Sequence, residues 1–119
     1  MVRYGLALAA AALVAGLTSA LPATGAGRVS AVTVTAGKPA EFHFALTKKT
    51  VPKGTVTFLV VNKGNVPHDF KINGHKTKLL TPGQAQTFRV TFLKTGKYPF
   101  LCTVTGHAAA GMKGTFTVS

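Results

Sequence analysis

Among 119 residues there is one cysteine, Cys102, and there are two acids, Glu41 and Asp69. A lone cysteine excludes an internal disulfide, so stability rests on packing and on whatever the thiolate can bind. Two acids against 14 Lys and Arg give a formal charge of +12, about +11 if Arg3 leaves with a leader. The chain is therefore not an acidic one, and its charge admits nucleic acid, an anionic membrane surface or an acidic protein as partner. Helical periodicity of any length is missing from Ser30 onward. With 46% hydrophobic residues the chain is not disordered, and its length permits one domain.

Met1 to about Ala26 carries an early Arg3, an apolar run from Leu6 to Leu17 and small residues ending at Ala20 or Ala26. This is the pattern of a secretory signal. A spanning helix needs roughly 20 apolar residues, more than this run offers. There is no twin-arginine pair, and no cysteine near the leader to carry a lipid. The expected division is a signal peptide over 1–26, cleaved after about Ala20 or Ala26, and one domain over 27–119. That domain is expected to be exported and soluble, in the periplasm or outside the cell.

Beyond the leader, apolar and polar residues alternate with the period of half-buried strands. Val32 and Val34 alternate with Thr33 and Thr35; Phe42, Phe44 and Leu46 with His43 and Ala45; Phe88, Val90 and Phe92 with Thr87, Arg89 and Thr91. Val56 to Val61 is more continuously apolar, as a central strand would be, between turn residues Pro52–Gly54 and Asn62–Gly64. Phe70 to Ile72, Tyr98 to Cys102 and Thr115 to Val118 complete the set. The expected fold is all-β, a two-sheet antiparallel Greek-key sandwich of seven or eight strands. Such a frame brings a strand end at Cys102, a strand entrance at Met112 and a distant loop at His68 to one end.

Cys102, His107 and Met112 fall within eleven residues, with Gly106 and Gly111 allowing a tight turn around the histidine. Thiolate and thioether favour Cu(I), while imidazole serves both copper oxidation states. A second imidazole is available at His68, in a turn that contains Asn62, Gly64, Asn65 and Pro67. Taken singly, each has a bland reading: a lone cysteine as a small buried hydrophobe, a methionine as core filler. Taken together they form a copper ligand set. His43 lies on the polar phase of its run and His75 in a basic turn, so both are expected to be solvated.

Asn62 to Phe70, Tyr98 to Cys102, Gly106-His107 and Gly111 to Gly114 together resemble the cupredoxins, the small blue copper proteins of the plastocyanin, azurin and auracyanin kind. Four residues separate Cys102 from His107, as in the azurin and auracyanin loop, whereas Pro67 before His68 is similar to plastocyanin. The subfamily stays open. Members of the family commonly place a polar residue, often Asn, after the first histidine to brace the cysteine loop. Asp69 stands there, either as that brace or as an ordinary turn aspartate.

Two imidazoles and a thiolate make a trigonal set with a weak axial thioether, which suits one copper cycling between Cu(I) and Cu(II). With every position filled, no open site remains for substrate, so an electron carrier is expected and not an enzyme. The partners would be redox proteins with an acidic docking surface. They would meet a monomer at the small residues around His107 (Ala108, Ala109 and Ala110) and at Val66 and Pro67, with Lys63 and Lys113 as a positive rim. A copper carrier or storage protein is the alternative, weakened by a methionine count of two. A polyanion-binding or membrane-surface module is weaker still: Lys48, Lys49, Lys76 and Lys78 are scattered over turns without an aromatic stacking motif, and no nucleic acid is expected.

Overall fold

The computed structural model describes residues 28–119; the leader expected over 1–26 lies outside the described residues. Nine strands follow in order: β1 Arg28–Ala36, β2 Phe44–Leu46, β3 Thr50–Val51, β4 Gly54–Asn62, β5 Lys71–Ile72, β6 His75–Lys76, β7 Ala85–Phe92, β8 Gly96–Leu101 and β9 Lys113–Val118. They form two sheets, β2-β1-β4-β7 and β3-β9-β8-β5-β6, and the chain passes repeatedly from one to the other. The two-sheet sandwich agrees with the alternating pattern. The strand count exceeds the expected seven or eight because the two-residue strands β3 and β6 are too short to leave a period.

The sheets are mixed, not purely antiparallel. β1 pairs with β4 in parallel over nine residues, and β3 with β9 in parallel. Alternation tells which face of a strand is buried, not which way its neighbour runs. A parallel pair needs a long crossover, and the segment carrying β2 and β3 supplies it between β1 and β4.

Val32 and Val34 of β1, Val56, Phe58 and Val60 of β4, Val90 and Phe92 of β7, Phe100 of β8 and Phe116 and Val118 of β9 fill the space between the sheets. β4 is central in its sheet as expected, but only its alternate residues are buried, and Leu59 is 39% exposed. Phe58 lies at the middle of the core, with Phe70, Phe88, Phe92 and Phe116 ring centroids 5.5 to 6.5 Å away. Apolar burial of this kind, at about 25 cal/mol per Å², is the main term holding the sheets together. It also gives the loops at one end a stiff base.

Candidate metal centre

Three loops meet at that end of the sandwich. The turn from β4 to β5 carries His68, whose N–H donates to the Leu80 carbonyl at 3.0 Å while Leu80 N–H returns a bond of 2.8 Å. Asn62 ends β4 fully buried. Its amide donates to the Val66 and Leu80 carbonyls at 2.9 and 2.8 Å, and its oxygen accepts from Gly64 N–H at 2.8 Å. It is thus a strut for the His68 turn, more than the turn former its sequence context suggests.

Cys102 follows the last residue of β8, and Met112 precedes the first of β9. The Cys102 N–H donates to the Met112 carbonyl at 3.1 Å, closing the loop between them, and Met112 N–H donates to the His107 carbonyl at 3.0 Å. Gly106 takes φ +85°, a left-handed conformation costly for a side-chain-bearing residue, and so turns the chain for His107. Ala36, Cys102 and Met112 form a small buried cluster, with Phe44 and Val104 against it.

The donor atoms converge. Nδ1 of His68 and Nδ1 of His107 are 3.2 Å apart, and Cys102 Sγ lies 3.6 Å from the His107 nitrogen. All three donors fall within 4.8 Å of one another. An ion with bonds of about 2.0–2.3 Å to nitrogen and sulfur separates trigonal ligands by roughly 3.5 Å, so these residues fit one first-row metal. Two imidazole nitrogens and a thiol sulfur are the softer donors that copper accepts. Met112 is fully buried beside Cys102, while His43 and His75 are exposed.

Burial pushes the Cys102 thiol pKa up, although the Asp69 N–H directed at the sulfur at 3.5 Å opposes this. A metal bound there would reverse that balance, since a coordinating thiol is deprotonated outright. Burial, with a smaller electrostatic contribution from the neighbouring His68, lowers the His107 pKa and favours the neutral ring with a free lone pair.

Both acids of the chain stand at this site. Asp69, 5% exposed, accepts the Thr103 N–H at 2.6 Å and the Thr103 hydroxyl, tying the residue after His68 to the residue after Cys102. It is not an ordinary exposed turn aspartate. Glu41 reaches His68 from another loop, Oε2 to Nε2 at 2.6 Å. Hydrogen bonding, first from Asn65 N–H and then from His68, holds its carboxyl below the usual range. In the sequence Glu41 carries no signal of this role beyond the scarcity of acids. Phe42, 36% exposed, sets its ring edge-on to His107 at 4.9 Å between centroids.

A sandwich that gathers two imidazoles, a buried thiol and a buried thioether at one end defines a single-metal β-domain. The chain belongs to the cupredoxin-like domain family, which it matches over residues 6–118. Among solved structures it is similar to the dithionite-reduced auracyanin of the photosynthetic bacterium Roseiflexus castenholzii. That pair is 25% identical with a TM-score of 0.63, over 80% of this chain and 99% of the other. Auracyanin B is 26% identical with a TM-score of 0.67, over 76% of this chain and 88% of the other. Auracyanin A of Chloroflexus aurantiacus, a "blue" copper protein, shares the fold at 20% identity and a TM-score of 0.64, over 77% of this chain and all of its own, 100%. No curated protein matches the sequence.

Proposed function

We propose that this chain is a single-electron carrier that holds one copper ion on His68, Cys102 and His107, with Met112 as the weak axial donor. The observation that carries this reading is the meeting of two Nδ1 atoms and one Sγ within 4.8 Å of one another, close enough to share one ion. Copper supplies a one-electron couple there. The protein supplies constancy: ligands rooted in a strand end and braced turns change little when the charge changes. His68, Cys102 and Met112 are buried and His107 is half-buried, an arrangement that lets an electron pass while giving a substrate no obvious seat. The auracyanin likeness supports the same reading.

The exchange face is the rim of His107. Phe42, edge-on to its ring, and Ala109 and Ala110 of its own turn are exposed, as are Pro67 before His68 and Lys63 and Lys113 beside ligand segments, a surface suited to a redox protein with an acidic docking patch. The setting is the periplasm or the cell exterior, on the strength of the leader-like first 26 residues. Among the described residues no helix is long and apolar enough to cross a membrane.

Copper-loaded protein is expected to show an intense visible band from thiolate-to-copper charge transfer. Cys102→Ser should abolish it, and His43→Ala and His75→Ala should leave it unchanged. A colourless copper-loaded wild type, or a serine variant that keeps its colour, refutes the assignment.

A further inference from the structure

His68 is engaged through both ring nitrogens. Nδ1 faces His107 and Cys102, and Nε2 lies 2.6 Å from Glu41 Oε2. Glu41 belongs to the link between β1 and β2, His68 to the link between β4 and β5. Two close approaches bring these links together. A Cβ on Gly37 would lie 2.4 Å from the Gly64 Cα, and one on Gly64 would lie 2.3 Å from Glu41 Oε2 and 2.9 Å from His68 Nε2. The Asn65 N–H donates to both Glu41 oxygens, at 2.8 and 3.1 Å, and fixes the carboxylate plane. In a chain with two acids and 14 Lys and Arg, a carboxylate held this way against a buried imidazole calls for an account.

We propose that Glu41 is a positioning residue: by accepting a hydrogen bond from the Nε2–H of His68 it fixes Nδ1 as the nitrogen that faces the metal, and its negative charge favours oxidised copper over reduced. This rests on the copper reading above. A ligand imidazole that donates its other N–H to a carboxylate is held in one tautomer and becomes a more basic donor. Cu(II) carries one more positive charge than Cu(I), so a carboxylate one ring away stabilises it the more. Glu41 is 24% exposed in its side chain, and solvent screens but does not cancel this difference. Removing the charge therefore raises the reduction potential.

The test compares wild type, Glu41→Gln and Glu41→Ala by two measurements. Proton–nitrogen correlation spectra of the metal-free protein, in mildly alkaline solution, read which nitrogen of His68 bears the proton. Voltammetry of the copper-loaded protein reads the potential. Glutamine keeps an oxygen acceptor but no charge; alanine keeps neither. The Nε2–H form is expected in wild type and Glu41→Gln, with a mixture of tautomers in Glu41→Ala. The copper equilibrium in Glu41→Gln should move about tenfold toward Cu(I), about 59 mV upward for one electron. Three outcomes overturn the proposal: wild-type His68 without a fixed Nε2 proton, an alanine variant with unchanged tautomer, or a glutamine variant with wild-type potential. Copper-loaded wild type without the thiolate band sinks the copper assignment instead, and the tautomer spectra then decide by themselves whether Glu41 positions His68.

Discussion

The two imidazoles that face each other across the centre are held in opposite ways. His68 is fully buried, pairs through its backbone with Leu80 in both directions, and has its outer nitrogen on Glu41. His107 is half-buried in a turn shaped by its own backbone, its N–H donating to the Val104 carbonyl at 3.0 Å, with Phe42 and a row of alanines beside it. On the proposed reading, one side of the centre is a fixed wall and the other a doorway. A carrier needs both, because rigidity limits reorganisation when the charge changes while exposure sets how near a partner can come.

Damage to the wall should cost most. Asp69 joins the segment after His68 to the segment after Cys102 through two bonds from Thr103 to one carboxylate. Hydrogen bonds to a charged group contribute about 1.5–3 kcal/mol, so Asp69→Ala should destabilise the metal-free protein by about 2 kcal/mol in urea unfolding, with Asp69→Asn recovering part. Loss of less than about 0.5 kcal/mol, the range of ordinary surface substitutions, would reduce Asp69 to a turn residue and erase the asymmetry on this side.

Met112 lies between wall and doorway, buried with Cys102 but following the His107 turn. Met112→Leu conserves volume and should cost under about 1.5 kcal/mol. If the thioether is a weak axial donor, the variant keeps copper, and the drier site without that donor disfavours Cu(II). Voltammetry should show a raised potential. A lowered potential, or copper lost outright, would make Met112 part of the wall.

How much of this was legible in sequence follows the same division. Cys102, His107 and Met112 share one short loop, so their chemistry stands in line, and His68 announces itself through the turn residues around it. The sandwich was readable because Val32, Val34, Val90 and Phe92 alternate with polar neighbours and one face of each strand must be covered. Glu41 was not, because it stands 27 positions before His68 and the parallel pairing of β1 with β4, continued by Lys63 N–H to the Ala36 carbonyl, is what sets their links side by side. That pairing is itself invisible to a pattern that records faces and not directions. Asn62 reads as a turn former for a related reason: its bond to Val66 is local, and the buried bond to Leu80, 18 residues away, is the tertiary one.

The doorway admits the mildest test. Ala109 is exposed two residues after His107, so Ala109→Glu places a carboxylate on the proposed exchange face and replaces no proposed ligand. Stability should change by no more than about 0.5 kcal/mol, as for surface substitutions generally, and the copper spectrum should be unaltered. Exchange with an acidic redox partner should slow for two reasons that salt separates. The added charge repels the partner at long range, an effect that fades as ions screen it beyond about 10 Å at 0.1 M. The added bulk also holds the partner off the imidazole edge, which salt does not relieve. Stopped-flow rates for both proteins at low and high salt are therefore expected to converge in part and not wholly. Equal rates at all salt concentrations would remove the exchange face from around His107, whereas a wild-type rate indifferent to salt would leave the face in place and strip Lys63 and Lys113 of a steering role.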